Sequence, residues 1–349
     1  MQTLQEIREL LESFGLAPQR RFGQNFLIDQ NLLLKLLELA EVDAARTVLE
    51  VGPGTGSLTE ELLARAGKVV AVEIDSGMHR LLQERLGGKS NLVLLHRDIL
   101  VGKHALAGEV VEALGPCADL VSNLPYNIAT PLVAQCLVNS WEAVRPGMGS
   151  LPVRIPPVSS PLNSEDGKET AHGQDARETH GQDAHATHEL DARATRFDRL
   201  TFTVQQEVAD RMVAPHGSWE YGPVSVIVAL LGKARFGQAV PNTSFWPKPQ
   251  VASRMVRIDF DAERARLLAD IRALKAVVAL AFGQRRKQIG SVIHRKNAAF
   301  EAEDFSRALD AAGIPRTVRA EQVTPEQFLA AANALAGKLK GPAIEEDVG

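Results

Sequence analysis

Five consecutive residues, Ser122-Asn123-Leu124-Pro125-Tyr126, put a carboxamide, a conformationally locked ring and a phenol side by side. Pro125 fixes its own φ and so sets the direction of the neighbouring carbonyls. The Asn123 side-chain oxygen and the Leu124 backbone carbonyl, held together, can accept two protons from one amino group. An aromatic amine is a poor nucleophile because its lone pair is spread into the ring. Two acceptors orient such a nitrogen and gather its electrons toward an electrophile. Tyr126 can stack on the ring that carries the amine. The plainer reading of the same residues is a strand-end turn with a half-buried tyrosine.

Groups suited to a second ligand lie upstream. Val48-Leu49-Glu50-Val51-Gly52-Pro53-Gly54-Thr55-Gly56 places glycines at alternate positions after an apolar run, where a backbone without Cβ atoms can turn tightly and approach a ligand. The spacing is not the G-x-G-x-x-G of dinucleotide sites, and alone the loop fits a structural turn or another nucleotide pocket equally well. Glu73 ends the run VVAVEID, placed to accept from ribose hydroxyls, and Asp98 follows the next run in HRDIL, placed to accept from an adenine amine. Asp98 taken singly reads as a solvated loop acid. The loop and both acids together indicate an adenosyl ligand, and the combination resembles the class I S-adenosylmethionine methyltransferases.

The elements that must position these groups alternate. Strands are expected at 47–51, 68–74, 91–95 and from 119 to 122, and helices at 58–66, 78–86 and 131–141. Such alternation gives an α/β, doubly wound, mostly parallel sheet, which binds ligands at the carboxyl ends of its strands. Helical spacing covers 203–213 and 225–231, and 254–260 alternates as a closing strand. Beyond Asp261 the pattern is helical over 263–282, 302–311 and 325–336. The expected division is a ligand-binding domain over 1–260, a smaller all-helical domain over 261–340 and an acidic tail at 341–349.

The pattern breaks between residues 144 and 196, where an eight-residue unit recurs as HGQDARET, HGQDAHAT and HELDARAT from His172, His180 and His188. This composition cannot bury enough apolar surface to offset its ordering entropy, so a disordered insertion is expected. No cysteine or carboxylate cage surrounds the repeat histidines, and no metal site is assigned. His79 and His96 are read as surface residues. Cys117 and Cys136 lack C-x-x-C spacing and read as core thiols of a reducing compartment. Residues 1–16 form an amphipathic helix without the apolar region of a signal peptide, and no run of eighteen apolar residues occurs, so a cytoplasmic chain with no membrane partner is expected.

Four segments carry a closer resemblance: Arg21-Phe22-Gly23-Gln24-Asn25-Phe26-Leu27, Asn123-Leu124-Pro125-Tyr126, Phe245-Trp246-Pro247-Lys248-Pro249-Gln250-Val251-Ala252-Ser253 and Ala281-Phe282-Gly283-Gln284-Arg285-Arg286-Lys287. They resemble the ribosomal RNA adenine dimethyltransferases, specifically the bacterial small-subunit (16S) enzymes, over nearly the whole chain outside the insertion and tail. The resemblance implies S-adenosyl-L-methionine as methyl donor, held by Asn25, Leu27, Gly52, Glu73, Asp98 and Asn123. It implies catalytic roles for Asn123, Leu124, Pro125 and Tyr126, with Phe245 packing on the target base opposite Tyr126; core packing is the alternative for Phe245. The base would be taken out of its stack to be reached. No general base is assigned, because the amine loses its proton after alkylation.

The net charge of −4 does not by itself announce a nucleic-acid partner, and charge distribution matters more. Residues 283–297 carry Arg285, Arg286, Lys287, Arg295 and Lys296 without an acid, a run suited to RNA phosphates, with Arg20 and Arg21 able to add to it. A solvated helix face is the alternative. The implied partner is 16S ribosomal RNA in an immature small ribosomal subunit, and the chain is read as a monomer. Competing readings are a 23S ribosomal RNA adenine methyltransferase and a non-catalytic RNA-binding assembly factor. A nicotinamide oxidoreductase fails on the glycine spacing.

Overall fold

A computed structural model describes residues 2–102, 105–145, 194–294 and 299–340. The repeat histidines, Arg295, Lys296 and the acidic tail lie outside the described residues, as does the side chain of Arg20. The centre is a seven-stranded sheet. Its strands are β1 (Thr47–Val51), β2 (Lys68–Glu73), β3 (Leu92–His96), β4 (Cys117–Asn123), β5 (Arg196–Gln205), β6 (Gly232–Val240) and β7 (Ser253–Phe260). The spatial order is β3-β2-β1-β4-β5-β7-β6, with β1 to β5 parallel and β7 antiparallel to both neighbours.

Residues buried on both faces explain the centre of the sheet. Val48, Leu49, Val69, Val70, Ala71, Leu120 and Val121 are all fully buried, the near-continuous apolar run expected of parallel strands covered by helices. The strand order reverses between β1 and β4, and the crevice outside their carboxyl ends is where such sheets take ligands.

Two expectations are corrected here. Residues 203–205 continue strand β5, and the helix Gln206–Val213 begins only after them. Thr201, Phe202, Thr203 and Val204 are all buried, so sheet pairing on both sides overrides their helix-compatible spacing. The helical stretch expected at 263–282 is broken into a short turn at Ala262–Ala265 and a helix at Ile271–Phe282, because Asp270 adopts extended backbone and caps the Arg272 N–H. Strand β6 had no counterpart in the sequence reading. The C-terminal helices at 271–282, 302–311 and 325–334 join the buried cluster that covers one face of the sheet. Trp141 Nε1 donates to the Leu268 carbonyl at 3.1 Å across that contact.

At the amino ends of the strands, Arg46 forks onto Asp119 (Nη2–Oδ1 2.8 Å, Nε–Oδ2 3.0 Å) and also reaches Asp198 at 2.8 Å. Asp119 is buried. Replacing Arg46 with alanine leaves that carboxylate in the interior without its partner, so a loss of about 3 kcal/mol is expected in urea unfolding. A midpoint within experimental error of the parent would show that the fork does not hold β4 and β5 together.

Candidate active site

The strand ends converge on one cleft. It encloses, with adjoining solvent, about 1210 Å³, and its walls include Asn25, Leu27, Glu50, Gly52, Glu73, Asp98, Asn123, Leu124, Pro125 and Tyr126. Every cofactor residue expected from the sequence is on this wall, together with all four residues of the Asn-Leu-Pro-Tyr segment.

The glycine loop follows β1 with Gly52 and Gly54 at φ +68° and +60°, a region that side chains rarely adopt. A Cβ on Gly52 would sit 2.9 Å from Pro125 Cγ, and one on Gly54 would sit 2.8 Å from Phe26 Cε1. The loop is therefore packed directly against the Asn-Leu-Pro-Tyr segment on one side and, on the other, against residues 19–27, the N-terminal flap. Gln2 ties it further: its Nε2 donates to the Thr55 carbonyl at 3.0 Å, and its Oε1 accepts from Thr55 Oγ1 at 2.6 Å.

Glu73 closes β2 with Oε1 accepting the Asp75 N–H at 2.9 Å and Oε2 facing the Gly54 N–H at 3.4 Å. Burial pushes its carboxyl up to about 7. Glu50, missed by the sequence reading, points into the same space from β1 with Oε2 buried and unpartnered, and burial pushes it up to about 8. Its signal was an acid inside the otherwise apolar run Val48–Val51. Asp98 is exposed at the rim, with Oδ1 accepting from the Leu100 N–H at 3.0 Å.

At the other end of the cleft, Asn123 terminates β4 beside Thr203. Its Nδ2 donates to the Asn25 carbonyl at 2.9 Å, and its Oδ1 is buried with no partner. Since a carbonyl can only accept, the Asn25 contact fixes which end of the amide faces the cleft. Leu124 is buried, with its N–H on the Thr203 carbonyl at 3.2 Å, and the Pro125 carbonyl receives the Ile128 N–H as the chain turns into the helix Ala129–Val144. Tyr126 hydroxyl lies 2.8 Å from Ser253 Oγ, and burial pushes the phenol up, so it stays protonated at neutral pH.

A family model described as ribosomal RNA adenine dimethylase matches residues 16–337. The chain belongs to the ribosomal RNA adenine dimethylase family. Its relatives include the Ribosomal RNA small subunit methyltransferase A of Phenylobacterium zucineum (strain HLK1), 34% identical over 98% of this chain and 97% of that protein. The protein of the same name from Magnetococcus marinus (strain ATCC BAA-1437 / JCM 17883 / MC-1) is 34% identical over 94% and 95%. Among solved structures, a dimethyladenosine transferase from Plasmodium falciparum has a TM-score of 0.58 at 19% identity, covering 90% of this chain and 99% of that one. The 23S rRNA methyltransferase ErmE has a TM-score of 0.53 at 23% identity, covering 89% and 100%. Both share the Rossmann-like methyltransferase fold.

S-adenosylmethionine is the methyl donor of this dimethylase. The cleft fits it. A buried unpaired carboxylate oxygen on Glu50 suits a cationic ligand, the Gly52 and Gly54 cradle admits no Cβ, and the acids of Glu73 and Asp98 offer acceptors to ribose and adenine. Asp75 holds the flap over this dimethylase site, its Oδ2 accepting from Gln19 Nε2 at 2.7 Å and Gln24 Nε2 at 3.3 Å. Sequence reading missed this role, since nothing in the spacing links residues so far apart.

Phe245 is 2% exposed and is not among the residues lining the cleft. Phe245–Trp246 pairs antiparallel with Phe26–Leu27, and the Phe245 ring enters an apolar cluster with Leu27, Leu33, Leu36 and Met255. This packing favours the core alternative for Phe245 and anchors the strand Phe26–Leu27. The basic run divides as well. Arg285 is half-buried against Trp219, while Arg286 and Lys287 are exposed with no ion-pair partner among the described residues.

Two outcomes are expected. Gly52→Ala meets both an unfavourable φ and Pro125, so cofactor affinity should fall by at least tenfold in calorimetry; retained affinity would separate the loop from the site. Glu50 and Glu73 have folded pKa values raised above the ordinary 4.5. Their protonated forms therefore favour the fold at low pH, and that contribution is lost as pH rises from 4.5 through about 7 and 8. A cationic donor prefers the ionised pair, so its affinity should climb between pH 6 and 8 with proton release and level off above. An affinity flat over that range would contradict the ionisation.

Proposed function

We propose that this protein dimethylates the exocyclic amines of two adjacent adenines in a hairpin loop near the 3′ end of 16S ribosomal RNA. It acts on the immature small subunit as a cytoplasmic monomer. The family membership supports adenine dimethylation of ribosomal RNA, and the name shared by the relatives supports the small subunit. Among the described residues no helix is long and apolar enough to cross a membrane.

The observation that carries the reading is the unpartnered Asn123 Oδ1 at the cleft. An unpaired buried acceptor costs roughly 1–3 kcal/mol, and a substrate amine would recover it. When bound, S-adenosylmethionine supplies an electrophilic methyl group. Glu50, Glu73 and Asp98 hold the donor's cationic, ribose and adenine parts. Asn123 Oδ1 and the Leu124 carbonyl accept the two protons of the adenine amine and direct its lone pair into the cleft. Tyr126, pinned by Ser253, stacks on the purine face. Once the new C–N bond forms, the nitrogen's acidified proton passes to water. Both transfers to one nitrogen are accommodated because the second needs only one retained N–H acceptor.

Asn123→Ala should lower single-turnover methylation at saturating cofactor by about 100-fold or more, a loss beyond any fall in cofactor affinity. Normal turnover would remove Asn123 from the mechanism. Primer extension on under-methylated 16S and 23S RNA after incubation with the protein decides the substrate. New stops confined to 16S are expected, and stops on 23S would overturn the small-subunit assignment. Reversing Arg286 and Lys287 to glutamate should weaken RNA binding and reduce the slope of log K against log salt by about one to two. An unchanged slope would place the phosphate contacts elsewhere.

A further inference from the structure

The loop at 214–222, between the helices Gln206–Val213 and Pro223–Leu231, exposes one large aromatic side chain to water. Trp219 is 83% exposed, whereas Trp141 is buried and Trp246 half-buried. Its exposure does not come from a loose loop. On one side of it the Gly217 N–H donates to the Glu321 carbonyl at 2.6 Å. On the other, Tyr221 is fully buried, with its ring edge-on to Phe282 at 5.8 Å. The indole is held up between two anchors.

Arg285 covers one face of it. The guanidinium carbon lies 5.2 Å from the ring centroid, and Nη2 donates to the Trp219 carbonyl. That contact orients the ring and leaves its opposite face in solvent. Arg286 and Lys287 follow directly and are exposed, against the single acid Glu220 in the loop. None of these residues is on the wall of the methyl-transfer cleft.

We propose that Trp219, braced by Arg285, is a stacking platform for an unpaired nucleobase of the RNA substrate, at a site separate from the cleft. A rigid indole with a guanidinium behind it and free cations beside it matches single-stranded RNA: the ring takes a base face, and Arg286 and Lys287 take the adjacent phosphates. The one acid of the loop, Glu220, does not offset Arg285, Arg286 and Lys287, so the surface suits a polyanion. The proposal rests on RNA as the substrate and adds a contact that fixes how that RNA lies on the protein.

The test uses the full chain and a single-stranded oligoadenylate of about twenty nucleotides, with a blunt RNA duplex of equal length as control. Trp219→Phe is the spectroscopic blank. The acrylamide-quenchable fluorescence that the wild type has and the blank lacks should be protected by the single strand and not by the duplex. Trp219→Ala should weaken single-strand binding by about tenfold with an unchanged salt slope, and Trp219→Phe should bind within about twofold of wild type. At 83% exposure the side chain contributes little to the fold, and unaltered cofactor affinity of the variants checks this. Equal protection by both RNAs, wild-type affinity of Trp219→Ala, or a Trp219→Phe variant as weak as alanine would each overturn the platform. Methylation of under-methylated small subunits by the wild type is measured in parallel. Its absence would sink the 16S reading without touching the stacking result.

Discussion

The hydrogen bond from Asn123 Nδ2 to the Asn25 carbonyl is the contact on which the site depends. It consumes the donor end of the amide and leaves the acceptor end buried and unsatisfied at the cleft. It also joins the end of β4 to the N-terminal segment that lines the same cleft. The flap is held at two further points, by Asp75 on its glutamines and by the pairing of Phe26–Leu27 with Phe245–Trp246. A dimethylase must keep water from a reactive methyl donor while admitting a large RNA. On the proposed mechanism, an N-terminal segment bonded to Asn123 links those two demands.

The sheet contributes direction. Parallel strands β1, β2 and β4 deliver Glu50, Glu73 and Asn123 to one edge, and burial raises the carboxyls of Glu50 and Glu73 toward neutrality. Two carboxyls so raised can sit in one cleft without strong repulsion. The glycine loop is confined by Pro125 and Phe26, so donor site and amine site share a wall. The surface proposed for RNA lies apart from the cleft, with exposed cations at Arg286 and Lys287 and an exposed indole at Trp219.

Strand ends were legible because apolar runs followed by glycine or an acid have few other meanings, and Gly52, Glu73, Asp98 and Asn123 all reached the cleft as expected. Strand β6 was not legible, because GKARFGQAV is an edge strand whose exposed positions carry Lys233, Arg235 and Gln238 instead of an apolar alternation. Strand β5 starts where the repeat segment ends and is buried through threonines, which blurred its period. Two-residue strands have no period at all, so the packing of Phe245 beneath Leu27 was visible only in three dimensions. Glu50 was hidden for the opposite reason: it occupies a strand position that reads as core.

The central claim is that the free oxygen of Asn123 receives the target amine. A crystal structure with an RNA hairpin and a donor analogue that cannot transfer its methyl measures this directly. The account predicts the adenine exocyclic nitrogen at hydrogen-bond distance, about 2.9 Å, from Asn123 Oδ1, with Nδ2 still on the Asn25 carbonyl. A flipped amide, or an adenine amine bonded elsewhere with Oδ1 still unpaired, would contradict it.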